Sequence, residues 1–369
     1  MFALFLEIVS DSQIYRRPLR AWVDVDLGAL RRNAEALQRR AGVPLIPMVK
    51  ADAYGIGALA TVAALEPLNP WGYGVATVKE GEALRNAGVT RNIIIFTPLL
   101  RTEFAAAYAA GIIPTLGNED DIRAWSALGA PYHLAIDTGM NRSGIPWREV
   151  HILRQVVRDC PPAGAFTHLH SAELYDGSAE IEERLFREAL ATLEIQPPFL
   201  HVANSAAIVR YDQSPWNAIR PGIFLYGVGS GPDAKLQPEP VVHIRSRVVD
   251  IRWVEAGDTI SYDATYTAPT RQRIATVAAG YGDGYPRSLS DRGVALLHGY
   301  RIPVRGRVTM DMTMFDVTDV PCQIGDVVTL MGRDNGDILT AEEVGAMADR
   351  SPYELLTGLS VRLDRVYHD

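Results

Sequence analysis

Lys50 closes an apolar run, Val43-Pro44-Leu45-Ile46-Pro47-Met48-Val49, and precedes Ala51-Asp52-Ala53-Tyr54-Gly55-Ile56-Gly57. A lysine at the exit of a buried strand holds its amine where a ligand can sit. Burial lowers such an amine from its ordinary pKa of about 10.4 toward the range of a nucleophile or base. A solvated charge at a strand end is the alternative, because lysine is rarely buried. The neighbouring residues favour chemistry: Tyr54 offers a hydroxyl, and the two glycines allow the close backbone approach that a phosphate needs.

Further along the chain, Asn204-Ser205 and Arg220-Pro221-Gly222-Ile223 add to this set. Ser205 with the N–H groups of Gly222 and Ile223 could bind a phosphate together with Tyr54, although a serine after asparagine also reads as a helix cap. Arg220 lies in an apolar stretch and needs a partner there. Facing a pyridine nitrogen, a guanidinium can only donate, so the ring nitrogen stays unprotonated; an acidic residue would instead strengthen the ring as an electron sink. His168 lies against such a ring, orients Arg220, or is a satisfied core histidine. Arg142, in Asp137-Thr138-Gly139-Met140-Asn141-Arg142, can hold a carboxylate in bidentate fashion or pair at the surface. The loops Ile260–Tyr266 and Gly280–Tyr285 are rich in tyrosine and glycine, and tyrosines in β domains usually pack or line interfaces.

These residues need elements to position them. Leu27, Leu30, Ala34, Leu37 and Ala41 fall at helical spacing, with Asp26 as N-cap. Beyond them come strand-like runs near 43–49, 72–77, 92–96, 112–116, 132–137, 164–169, 199–204 and 218–223, separated by helix-length segments. The pattern is α/β and predicts a parallel (β/α)8, TIM-like barrel. In such barrels working residues gather at the C-terminal ends of strands, where Lys50, His168, Asn204, Ser205 and Arg220 fall. After about residue 236 the character becomes mostly β, with runs at 241–261, 274–279, 294–297, 302–308 and 326–331. The expected organisation is an N-terminal extension 1–17, a barrel over 18–236 whose first strand can join the second domain, and a mostly β domain over 237–369.

At 369 residues, 47% hydrophobic and 22% charged, the chain has the composition of a globular protein of about two domains. A net charge of −8 argues against a general nucleic-acid binder. Cys160 and Cys322 lie far apart, with neither a disulfide framework nor metal-ligand spacing, so no metal is expected and a reducing, cytoplasmic setting is the simpler reading. Residues 1–9 are apolar but short, lack a basic start and contain Glu7, so neither a signal peptide nor a membrane span is expected.

Taken in order, Val49-Lys50-Ala51-Asp52-Ala53-Tyr54-Gly55, Asp137–Arg142, Asn204-Ser205-Ala206-Ala207, Arg220-Pro221-Gly222, Ser261–Tyr266, Gly280–Gly284 and Gly306–Asp311 resemble the alanine racemase family. The resemblance runs from about residue 18 to 367. It implies an isomerase, a homodimer with shared active sites that uses pyridoxal 5'-phosphate, held as an imine by Lys50, to interconvert L- and D-alanine. Two opposed bases are implied, Lys50 for D-alanine and Tyr266, from the other subunit, for L-alanine. A phenol acting as a base near neutrality needs a cation beside it, and Arg142 is the one the motifs supply. Tyr54, His168, Asn204, Ser205, Arg220, Gly222 and Ile223 are implied around the cofactor. Arg142 and the Met310 backbone are implied on the substrate carboxylate, and Tyr281 at the entrance. D-alanine biosynthesis is the role that comes with the family.

Two positions depart from the pattern. Ala135 stands where many members carry a lysine that bridges to the arginine matching Arg142, so Arg142 must be oriented by something else. Val361 stands where part of the family carries a tyrosine, which opens space and makes serine a second candidate substrate. A fold-related decarboxylase is the rival reading, disfavoured because it should carry an acidic partner for the ring nitrogen and a catalytic cysteine.

Overall fold

The computed structural model describes residues 19–210, 213–231 and 234–369; the expected extension, residues 1–17, lies outside the described residues. The chain forms two compact units, one of Leu30–Glu239 and the other of the described residues up to Ala29 together with Pro240–Asp369.

Within Leu30–Glu239, the strands Gly72–Val75, Asn92–Ile95, Ile113–Leu116, His133–Asp137, Gly164–Phe166, Leu200–Asn204 and Ala218–Arg220 follow one another in a parallel sheet. Each is shorter than its apolar run suggests, and helices or helical turns fall between them. The run 43–49 is a correction, since it forms no regular strand. Pro44 and Pro47 lack N–H groups and break the ladder. What remains still closes the ring. On one side Ile46 N–H donates to Ile219 C=O at 2.8 Å and Met48 N–H to Pro221 C=O at 2.9 Å; on the other, Val49 N–H donates to Gly74 C=O and Gly74 N–H to Pro47 C=O, both at 2.9 Å. This segment is therefore the eighth stave of a barrel. Ile46, Ile94, Ile113 and Ala218 pack together inside, with Trp71, Phe96 and Phe199 against them.

Helix Leu27–Ala41 is capped as the sequence suggests, with Ala29 N–H donating to Asp26 Oδ1 at 2.6 Å, and it buries Leu30, Ala34, Leu37 and Ala41. Thr77 and Glu80 form a capping box at the start of Val78–Asn86, and Asn118 caps Glu119–Ser126. Satisfying the first N–H groups in this way fixes where each helix leaves its loop.

The other unit is built on the long strand Val242–Val254. It pairs antiparallel with Ala21–Asp26, Gln272–Val277 and Val327–Asp334. The strand Ala21–Asp26 also pairs parallel with Asp364–His368, so residues 19–29 belong to the β unit. Asp24 holds both neighbours through its carboxylate, accepting from Arg245 Nε at 2.6 Å and facing His368 Nε2 at 3.0 Å. Thr313–Asp316, Asp337–Leu339 and the helices Ala341–Ala348 and Pro352–Thr357 complete the unit, none of which the apolar runs indicate.

Candidate active site

Lys50 follows the eighth stave directly and opens an unusual turn. Ala51, Asp52, Ala53 and Tyr54 all take left-handed backbone angles, with φ of 52°, 53°, 52° and 55°. For residues with a Cβ this costs roughly 1–2 kcal/mol each, so the surroundings must hold the turn in place. Glu80 does so from the helix Val78–Asn86, accepting from Ala51 N–H at 2.8 Å and Ala76 N–H at 2.7 Å, while Asp52 Oδ1 accepts from Ala58 N–H at 2.7 Å. Tyr54 stacks on Tyr226 at 4.6 Å, and the Tyr226 hydroxyl donates to Met48 C=O at 2.7 Å. The Lys50 amine is held below the ordinary lysine range, first by burial and then by the positive charges of Arg142 and Arg220; Glu80 opposes this.

The phosphate-type residues converge on Gly222. A Cβ there would lie 2.5 Å from the Tyr54 hydroxyl oxygen, so only glycine leaves room. Ser205 Oγ accepts from Gly222 N–H at 2.8 Å and from Phe224 N–H at 3.4 Å, leaving the serine proton to point elsewhere. Ile223 opens a 3-10 turn, and its N–H is one of those without an intrahelical acceptor. Asn204, not Ser205, is the helix cap: Ala207 N–H donates to Asn204 Oδ1 at 3.0 Å, and Asn204 Nδ2 donates to Leu169 C=O at 3.3 Å.

Arg220 is buried, and carbonyls and imidazoles surround it instead of a carboxylate. Its NH2 donates to Thr167 C=O at 2.8 Å and Val202 C=O at 3.1 Å, its NH1 donates to His201 C=O, and Phe96 and Phe166 flank the guanidinium. Burial brings it down to about 9. The Nε–H is the one donor with no protein acceptor among the described residues. His168 Nδ1 lies 3.3 Å from NH2, and burial with the charges of Arg220, Arg142 and Lys50 pushes that imidazole down to about 3. His201 and His133 escape a reading of the sequence because they sit inside apolar runs. Their one signal is an unexplained polar residue in a strand.

Arg142 is exposed on a loop fixed by Asp137, whose Oδ1 accepts from Gly139 N–H at 2.9 Å and Asn141 N–H at 3.1 Å. Among the described residues it has no ion-pair partner, and Ala135 offers only a buried methyl group.

The remaining candidates lie in the β unit. Tyr266 donates its hydroxyl proton to Gln272 Oε1 at 2.9 Å. Gly280 and Gly282 let the loop of Tyr281 zip onto the loop of Met310: Tyr281 N–H donates to Thr309 C=O at 2.9 Å and Gly282 N–H to Met310 C=O at 2.8 Å. Met310 is 52% exposed. Its own N–H has no acceptor among the described residues. Asp283 pins the turn by accepting from Gly280 N–H at 2.9 Å, and Arg362 ties Asp283 to Asp311 at 3.3 and 2.8 Å.

The model of the alanine racemase N-terminal domain matches residues 25–230, and that of the C-terminal domain matches 241–367. The chain belongs to the alanine racemase family. It is 38% identical to the alanine racemase of Citrifermentans bemidjiense, over 94% of this chain and 98% of that one. It is 37% identical to that of Symbiobacterium thermophilum, over 94% and 96%. Among solved structures, the alanine racemase from E. faecalis superposes with a TM-score of 0.89 at 29% identity, covering 95% of this chain and 98% of that one. The Bartonella henselae alanine racemase, described with covalently bound pyridoxal phosphate, gives 0.88 at 27% identity over 95% and 100%. The family consists of pyridoxal-phosphate-dependent isomerases. The Gly222 N–H, which the sequence offers to a phosphate, is donated to Ser205 Oγ instead; the Ser205 proton, the Ile223 N–H and the space that glycine leaves beside Tyr54 suit a phosphate, and the Arg220 Nε–H suits an unprotonated ring nitrogen, so the residues present fit that cofactor.

Proposed function

We propose that the chain racemises alanine as a cytoplasmic homodimer that supplies D-alanine, with Lys50 and Tyr266 of the partner subunit as bases on opposite faces of Cα. Tyr54, Ser205, Gly222 and Ile223 would hold the cofactor phosphate, Lys50 would bind its aldehyde carbon until the substrate amine displaces the lysine and frees its nitrogen, and Arg220 would donate Nε–H to its ring nitrogen. His168 would lie beside the ring as a neutral imidazole, and Asn204 places Ser205 by capping its helix. When bound, pyridoxal phosphate supplies the electron sink that makes the Cα proton removable.

The chain's own groups do the rest. Arg142 and the Met310 N–H of the partner subunit hold the substrate carboxylate, and Tyr281 narrows the entrance. The Lys50 amine, kept below the ordinary lysine range by burial and two cations, takes the Cα proton of D-alanine. The Tyr266 oxygen takes that of L-alanine, and in either direction the base on the opposite face gives up its own proton to Cα, which inverts the centre.

The observation that carries this reading is Arg220, whose partners include no carboxylate. A donor that stays protonated would keep the ring nitrogen unprotonated and the electron sink weak, which would favour prompt return of a proton to Cα over decarboxylation or transamination. Val361, 98% exposed, leaves serine as a second substrate to be compared with alanine.

The test measures loss of optical rotation from L-alanine, CO2 release, and exchange of the Cα proton with deuterated solvent, in wild type, Lys50→Ala and Tyr266→Phe. Enantiomers have equal free energy, so each variant should lose racemisation equally in both directions. Tyr266→Phe should still exchange the Cα proton of D-alanine with retention, while exchange from L-alanine stops. Full racemisation by Tyr266→Phe refutes the two-base reading.

A further inference from the structure

Tyr266 sits in a bracket of side chains that neither its motif nor the cofactor residues explain. Its hydroxyl donates to Gln272 Oε1 at 2.9 Å, and Gln272 Nε2 donates to Asp316 Oδ2 at 2.7 Å. The same Oδ2 lies 3.4 Å from Arg305 NH2, while Oδ1 accepts from Thr318 N–H at 3.1 Å and the Thr318 hydroxyl at 2.6 Å. The Asp316 carboxylate thus accepts from four donors. The Arg305 guanidinium lies over the Tyr266 ring, 4.9 Å from its centroid.

This arrangement fixes the direction of each hydrogen bond. Gln272 is only 7% exposed, so its amide cannot turn to water. Turning it over within the bracket would set its oxygen against a carboxylate that only accepts. Gln272 therefore shows Tyr266 an acceptor, and the phenol must donate. An ionised phenol here would face the amide oxygen lone pair to lone pair. Arg305 acts in the opposite sense, since a cation over the ring favours the anion. Other charged groups on the elements packed nearby are engaged elsewhere: Asp291 accepts from the Thr265 hydroxyl and Gly306 N–H, Asp263 pairs with Arg307 at 3.4 Å, Arg271 pairs with Glu255 at 3.1 Å, and Arg273 donates to Cys322 C=O at 2.6 Å.

We propose that Gln272, pinned by Asp316, is a positioning residue that holds the Tyr266 proton on the phenol at rest, with Arg305 as its counterweight. This rests on the reading of Tyr266 as a base. The bracket sets how readily that base gives up its proton, and thereby the pH at which the two-base pair becomes competent.

The experiment compares wild type, Gln272→Met and Arg305→Leu as full-length protein. One readout is 13C NMR of Cζ-labelled tyrosine against pH in the cofactor-free protein, with Tyr266→Phe identifying the signal. The other is the acid limb of kcat/KM in the holoenzyme, which equal free energy makes common to both enantiomers. Methionine keeps the side-chain length and removes the strong acceptor. Gln272→Met should move the Tyr266 midpoint and the acid limb down by about half to one pH unit, roughly a three- to tenfold change, which is the effect of one neutral hydrogen bond. Arg305→Leu should move both up. If Gln272→Met does not fold, Gln272→Asn, which withdraws the amide by one methylene, should give the same downward shift. An unmoved Tyr266 signal in the Gln272 variants, or shifts of the same sign from Gln272 and Arg305, overturns the proposal. Full racemisation by Tyr266→Phe would instead overturn the base reading while the NMR shift still reported the bracket.

Discussion

Arg220 NH1 lies 3.0 Å from His201 Nδ1, and because a guanidinium only donates, that contact fixes where the protons of two buried histidines reside. His201 Nδ1 must accept, so its remaining proton is on Nε2. Nε2 in turn lies 2.8 Å from His133 Nδ1, which must also accept. One buried cation therefore orders a polar chain across strands Ala218–Arg220, Leu200–Asn204 and His133–Asp137. Burial pushes His133 down to about 4 and holds His201 well below the ordinary histidine range, as this polarity requires.

Replacing the donor with an acid should change the outcome of the reaction more than its occurrence. Arg220→Glu would let a ring nitrogen carry a proton and hold electrons longer. Pyruvate formed per racemisation event should rise at least ~10-fold, the effect of about 1.4 kcal/mol on one barrier relative to another. Coupling pyruvate to a dehydrogenase while following optical rotation measures the ratio, and an unchanged ratio counts against the role given to Arg220.

The buried imidazoles also tie stability to pH. His133 and His243 are depressed to about 4 and His168 to about 3, in each case first by burial. The unfolded chain takes up protons near pH ~6.5, where the folded chain does not, so folding weakens as pH falls from about 6.5 toward 4. Urea midpoints of the cofactor-free protein should decline over that window. His168→Asn should flatten the decline; a midpoint independent of pH would show that these groups are not buried neutral.

Gly222→Ala tests the cradle by shape alone. Its backbone, at φ −122° and ψ −99°, lies outside the left-handed region, so the argument is the 2.5 Å approach of a new Cβ to the Tyr54 hydroxyl. Separating these groups enlarges the pocket, and cofactor affinity should fall about tenfold or more, of the order of one lost charge-assisted hydrogen bond. Titration of the cofactor-free variant by absorbance, with circular dichroism to confirm the fold, measures this. Wild-type affinity would place the phosphate elsewhere.

Much of this architecture is legible in the sequence because parallel barrel strands are buried on both faces and appear as plain apolar runs. The lysine at the mouth of one such run is legible for the same reason. What escapes has a physical cause in each case. Pro44 and Pro47 disguise a stave that closes the ring with few bonds. The left-handed turn Ala51–Tyr54 contains no glycine, so local propensity gives no hint of it, and the helix Val78–Asn86 holds it through Glu80. Strand Ala21–Asp26 finds partners more than 200 residues away in Val242–Val254. Gln272, Arg305 and Asp316 look like ordinary polar residues until the sheet brings them to Tyr266.

The loop of Met310 separates two kinds of support that the sequence does not rank. Arg362 joins the buried Asp283 to the exposed Asp311, but its own guanidinium is half in water, where screening leaves such pairs little weight. Arg362→Leu should raise KM for alanine less than about fivefold and leave kcat nearly unchanged. Gly280 is different, because a Cβ there would lie 2.2 Å from Thr309 C=O, closer than any flexible side chain could relieve. Gly280→Ala must pull the 280–284 turn away from Thr309 and Met310, breaking the bonds from Tyr281 and Gly282 together. KM should then rise on the order of 10- to 100-fold, the effect of losing two backbone hydrogen bonds that hold a binding group in place. Steady-state kinetics on both variants gives the ratio. Equal effects would mean that the ion pair, and not the backbone zipper, holds Met310 in place.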